Sequence, residues 1–144
     1  MKNEFFLVQL SDLHLETFAN DPEFIEKVIR LTNEQKPDII VFTGDMVTRQ
    51  SKELEPFTEI LSKLRARYGV LSILGNHDYA IYGPLRNNPQ EREADKQRLV
   101  DMERQMGWTV LLNEHELIHQ GNADIAIIGV EKHLETYRLK GKAV

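Results

Sequence analysis

At 144 residues, 41% of them hydrophobic and 28% charged, the chain has the size and balance of one ordinary domain with a real core. Its net charge of −5 supplies no basic field for a nucleic-acid backbone, so nucleic acid is disfavoured as a partner. The absence of cysteine excludes disulfides, thiolate zinc sites and cysteine nucleophiles, so any metal must be held by oxygen and imidazole.

The opening "MKNEFFLVQLSD" has too short an apolar run for a signal peptide, and no stretch approaches the ~20 apolar residues of a spanning helix. A cytoplasmic chain without a transmembrane segment is the expectation. Phe5 to Leu10, closed by Ser-Asp, predicts a buried strand. In "NDPEFIEKVIRLTNEQKPD", Asp21 can cap and Pro22 suits the first helical position, while Phe24, Val28 and Leu31 share one face. The helix should stop near Pro37.

Ile39 to Phe42 predicts a second buried strand, ending in Thr-Gly-Asp. Leu54, Phe57, Leu61 and Leu64 then recur at helical spacing, with Pro56 disturbing the first turn. Val70 to Leu74 is the third predicted strand. "AIYGPLRNNPQERE" reads as a polar loop, followed by a helix whose Leu99, Met102 and Met106 share a face. "WTVLLNE", "HELIHQ" and "ADIAIIGV" read as short strands, the last two joined through Gly121-Asn122 as a hairpin. The polar "EKHLETYRLKGKAV" carries no assignable element.

Strand, helix, strand, helix, strand implies right-handed crossovers and a parallel sheet covered by helices. The hairpin would extend it into a mixed sheet or begin a second one. Residues 1–144 thus read as a single α/β domain.

Each of the first three strands ends in metal-capable side chains: Asp12 and His14 in "SDLH", Asp45 in "TGD", and Asn76, His77 and Asp78 in "GNHD". In an open α/β sheet such tips meet in one crevice. Two divalent ions ~3.5–4 Å apart need a bridging carboxylate, and Asp45, after Gly44, is the natural bridge. If the extended geometry persists, Asp12 and His14 point to the same side and reach one ion. Asn76 offers an amide oxygen to the other, which leaves His77 to face the substrate, and Gly75 is expected to serve the turn. Each piece alone also reads as a helix cap or turn former, but a cap needs no histidine, and the three tips are equipped together.

In that order and placement, "SDLH", "TGD" and "GNHD" resemble the first three signature blocks of the calcineurin-like metallophosphoesterases. The wording "VQLSDLHLE", "PDIIVFTGDMV", "YGVLSILGNHDYA" and "MGWTVLLNEHELI" is similar to a bacterial branch that includes membrane-associated phosphodiesterases and a lipid pyrophosphatase. The resemblance implies an α/β sandwich of mixed sheets flanked by helices. It implies hydrolysis of phosphomonoesters or phosphodiesters by a metal-bound hydroxide at two divalent ions, drawn from Mn, Fe, Zn or Mg. Asp12 and His14 would bind the first ion, Asp45 would bridge, Asn76 would bind the second, and His77 would be catalytic with Asp78 as its orienting partner. The substrate would be a phosphate-ester small molecule or a lipid-linked one, with the full-length protein associated with a membrane.

The family's later histidine and Gly-His-x-His blocks are missing, and His115, His119 and His133 lie in no matching context. The chain therefore reads as the amino-terminal part of such a domain, departing from the pattern near Glu131 and incomplete at its C-terminus, so that weak metal binding and little hydrolysis are expected. The alternative is a degenerate, inactive fold acting as a binding scaffold. Tyr79, Tyr82 and Arg86 are candidates to contact substrate, although loop residues of these types more often serve packing or the solvated surface. His115 and His119 read as surface strand residues.

Overall fold

Short β-branched runs bounded by polar turns become four parallel strands, β1 (Leu7–Leu10), β2 (Ile39–Phe42), β3 (Val70–Ser72) and β4 (Thr109–Val110), in the order β1-β2-β3-β4. The computed structural model describes residues 4–19 and 21–132, so the polar tail with His133 lies outside the described residues. Pairing sets Leu7 against Ile39, Ile40 against Val70 and Leu71 against Thr109. β1 is shorter than its apolar run because Asp38 captures Phe6: the Phe6 N–H donates to Asp38 Oδ2 at 2.8 Å and its carbonyl accepts from Asp38 N–H at 2.8 Å.

α1 (Pro22–Glu34) starts at the Asp21-Pro22 signal, but its buried face differs from the predicted one. Ile25, Ile29 and Thr32 are buried, whereas Phe24 and Leu31 are 46% and 44% exposed. Two apolar stripes run side by side along this helix, and the sheet takes the Ile25–Ile29 one. Phe24 instead stacks on Phe18, with ring centroids 4.6 Å apart.

The Leu54–Leu64 pattern forms a 3-10 helix, Ser51–Phe57, that passes into one α-helical turn, α2 (Thr58–Leu61). Pro56 lacks the N–H for an α-helical bond there. Leu54, Phe57, Leu61 and Leu64 are nonetheless all buried. α3 (Pro89–Gln105) begins inside the expected loop, because Asn88 caps it by accepting the Glu91 N–H at 3.1 Å and Pro89 suits its first turn.

With the strands in sequential parallel order, the helices pack in one cluster against one face of the sheet. There Val8, Leu10, Ile40, Phe42, Val70 and Val110 pack in one cluster with Ile25, Ile29, Leu61 and Leu99. The hairpin β5 (Glu114–Gln120) and β6 (Ala123–Gly129) turns at Gly121-Asn122 and is a separate antiparallel sheet rather than an extension of the first. It packs Ile118, Ile125 and Ile127 over Ile39, Leu71 and Leu111 on the opposite face. The result is a helix–sheet–hairpin stack with the carboxyl ends of β1, β2 and β3 at one edge.

Candidate metal centre

Beyond β1 the chain is zipped to the segment beyond β2: Asp12 N–H donates to the Gly44 carbonyl at 3.0 Å, His14 N–H to Asp45 at 3.1 Å and Leu15 N–H to Met46 at 3.0 Å. This happens with left-handed backbone at Asp12 (φ 56), His14 (φ 45) and Asp45 (φ 57). The extended geometry invoked for Asp12 and His14 therefore does not persist past Leu10. The two side chains still converge, with His14 Nε2 3.7 Å from Asp12 Oδ1 and 3.8 Å from Asp45 Oδ2.

The β2 and β3 loops meet through two glycines. A Cβ on Gly44 would fall 2.2 Å from the Gly75 nitrogen, and one on Gly75 would fall 2.2 Å from Asp45 Oδ1. Gly44 also needs its positive φ of 99, but Gly75 does not; Gly75 serves close approach rather than the turn.

Asp45 Oδ1 accepts the His77 N–H at 2.9 Å, which leaves Oδ2 toward His14. His77 Nδ1 lies 2.8 Å from the Thr48 carbonyl. A carbonyl only accepts, so Nδ1 carries a proton and Nε2 is the ring nitrogen left outside that bond. The His14 and His77 rings stand nearly perpendicular, 88° apart, with centroids separated by 4.8 Å. His14, Asp45 and His77 together place one ligand atom each within 4.8 Å of one another. A largely buried carboxylate between two imidazoles is a donor set that fits a divalent cation of nitrogen and oxygen preference.

Asp78 does not orient His77. It is 1% exposed, and its carboxylate accepts backbone N–H bonds from Asp45 (2.8 Å), Gly75 (2.8 Å) and Val47 (3.2 Å), fastening the two loops together. Burial pushes its pKa up to about 7, against the opposing pull of those N–H donors. Asp12 is held below the usual carboxylate range, chiefly by the Ser11 hydroxyl bonded to it. Asn76 Nδ2 donates to the Tyr82 hydroxyl at 2.9 Å, and the Tyr82 ring lies 4.4 Å from that of His77.

A cavity of about 680 Å³ adjoins the site, lined among others by Leu15, Arg49, Phe57, Tyr82, Pro84 and Arg86. Tyr82 thus stands beside the centre and Arg86 lines the cavity, whereas Tyr79 is buried, bonded to Glu131 at 3.2 Å. His119 pairs with Asp124 across the exposed hairpin at 2.5 Å, and His115 is exposed on the same strand. Sequence reasoning missed the Thr48 carbonyl, which any residue could supply, and the Asn76–Tyr82 bond.

A carboxylate and imidazoles at the carboxyl edge of a helix-covered parallel sheet are the arrangement of a metallohydrolase. The chain belongs to the calcineurin-like phosphoesterases, whose family model matches residues 7–139. It is 34% identical over 129 residues to the metallophosphoesterase YkoQ of Bacillus subtilis, covering 88% of this chain and 43% of that protein. It is 47% identical over 77 residues to the UDP-2,3-diacylglucosamine pyrophosphatase LpxG of Chlamydia trachomatis, covering 53% of this chain and 23% of LpxG. Among solved structures it is similar to the phosphopantetheinyl hydrolase of Mycobacterium tuberculosis, with a TM-score of 0.54 and 22% identity over 88% of this chain and 42% of that one, a likeness of fold. The chain thus spans less than half the length of these relatives.

Proposed function

We propose that this chain supplies one wall of a two-ion phosphoesterase centre that hydrolyses phosphomonoesters or phosphodiesters. The observation that carries the reading is the convergence of His14, Asp45 and His77, from three successive strand ends, to within 4.8 Å. Asp12 and His14 would hold one ion, Asp45 would be shared between the two, and Asn76 would give its amide oxygen to the second. When bound, the ions supply an activated water and neutralise charge on the phosphoryl oxygens.

The remaining steps belong to the chain's own side chains. His77, with Nδ1 fixed by Thr48, turns Nε2 to the reacting phosphoryl group, where it stabilises developing charge or protonates the leaving oxygen. Asp78 holds the Asp45 and Gly75 loops at their working separation. The leaving group would lie in the adjoining cavity, whose exposed Tyr82 and Pro84 suit an apolar body and whose Arg86 suits an anionic one, Arg49 being paired with Glu16 at 3.3 Å. A phosphate-ester small molecule or a lipid-linked substrate, the latter by similarity to LpxG, fits this lining. A cytoplasmic protein associated with a membrane accords with such a substrate; among the described residues no helix is long and apolar enough to cross one.

A second reading makes His77 a ligand, because its ring falls within the same cluster. One experiment tests both: Mn2+ is titrated against thermal stability and against hydrolysis of a chromogenic phosphodiester. Mn2+ should raise the melting temperature and support weak, chelator-sensitive turnover, with both effects lost in Asp45→Asn. Turnover indifferent to Asp45→Asn would overturn the proposal. In His77→Gln turnover should fall while the Mn2+ stabilisation stays; loss of both would make His77 a ligand.

A further inference from the structure

We propose that Tyr82 is a positioning residue of this centre, setting the Asn76 amide through its hydroxyl and backing the His77 ring with its own. The inference rests on the reading of Asn76 as a ligand and goes beyond it. A side-chain amide has a donor end and an acceptor end of nearly the same shape, and only the oxygen can bind a cation. Nothing in the covalent structure of asparagine decides which end faces the ion. Asn76 Nδ2 can only donate, and the Tyr82 hydroxyl, 2.9 Å away, accepts from it. That bond occupies the nitrogen end and leaves the oxygen for the metal position.

The Tyr82 ring, meanwhile, lies 4.4 Å from the His77 ring at 39°, on a residue that remains 53% exposed. Such a ring is no part of the hydrophobic core, and its packing partner is the imidazole. The position of Tyr82 is itself fixed. The next residue, Gly83, is pressed so close to Arg49 that a Cβ on it would fall 2.8 Å from the Arg49 carbonyl oxygen and Cβ. Arg49 follows Thr48, whose carbonyl holds His77 Nδ1. One short segment, Thr48–Arg49, therefore anchors the histidine directly and the tyrosine through Gly83. Tyr82 also lines the adjoining cavity, so a bound leaving group would press on the residue that orients the ligand.

Calorimetric titration of the 144-residue chain with Mn2+, for the parent, Tyr82→Phe, Asn76→Ala and the double variant, tests the proposal. Tyr82→Phe keeps the ring and removes only the acceptor, and it should weaken Mn2+ binding about 3- to 10-fold, the worth of one hydrogen bond. Asn76→Ala should weaken it further, and adding Tyr82→Phe to it should change nothing more. The metal-free melting temperature of Tyr82→Phe should stay with the parent. Parent-like binding by Tyr82→Phe, or an equal loss in the Asn76→Ala background, would overturn the proposal, the latter showing general loosening instead. Parent-like binding by Asn76→Ala overturns it differently, by removing Asn76 from the ligands.

Discussion

Gly75 has an ordinary backbone, and its importance lies in what stands opposite: an added methyl would sit 2.2 Å from Asp45 Oδ1. Gly75→Ala should therefore displace the Asp45 carboxylate and cost about 1–3 kcal/mol through overpacking. Denaturant unfolding would show that cost, and the Mn2+ stabilisation should vanish with it; an unchanged Mn2+ response would mean that Asp45 yields without harm. The polar tips were legible in the sequence, because Asp12, His14, Asp45, Asn76 and His77 all follow apolar strand runs. The supports around them were not. The acceptor that fixes His77 is the Thr48 backbone, and Asp78 spends its carboxylate on three N–H groups that no side-chain pattern announces.

At the scale of elements, α3 shows why its buried face is hard to read. Beside Leu99 and Val100 it buries Asp95 and Glu103, 2% and 0% exposed. Asp95 accepts the Ser51 N–H at 2.9 Å and the Ser51 hydroxyl at 2.7 Å, which pins the start of the 3-10 helix Ser51–Phe57. Asp95→Ala should cost about 1–3 kcal/mol in denaturant unfolding, because Ser51 loses its acceptors in a buried place. Asp95→Asn, which keeps an oxygen there, should recover part of the loss; equal loss in both would point to the charge rather than the bond. The existence of α1 was readable from Asp21-Pro22, but its orientation was settled by which of two neighbouring apolar stripes fits the sheet. The segment from Leu54 to Leu64 kept its predicted buried residues, but only Thr58–Leu61 took the α-helical form, since burial depends on spacing and hydrogen bonding on Pro56.

For the whole molecule, the consequential group is Glu103, buried behind β3 with Ser72 Oγ donating to Oε2 at 2.5 Å. Burial pushes its pKa up from 4.5 to about 8. The folded state therefore holds a proton that the unfolded chain releases. Its stabilisation is complete below pH 4.5 and is lost as pH rises through about 8. Asp78, pushed up to about 7 and the charged neighbour that raises Glu103 further, acts in the same direction. The test is thus the difference between proteins. The melting temperature of the parent should fall across this interval more steeply than that of Glu103→Gln, and parallel profiles would show that Glu103 is ionised throughout. The layered architecture was readable from the alternation of elements. Whether the hairpin joined the sheet was not, because its alternating strands would suit either place.

The left-handed backbone at Asp12, His14 and Asp45 gives the site a peculiar vulnerability. At such a position glycine is more comfortable than most side chains by about 1–2 kcal/mol, and than aspartate by less. A stabilisation campaign guided by backbone geometry alone would nominate these three residues for glycine and obtain a tougher, disarmed protein. In this fold robustness and chemistry pull in opposite directions at the same atoms, and the sequence as it stands has settled for the chemistry.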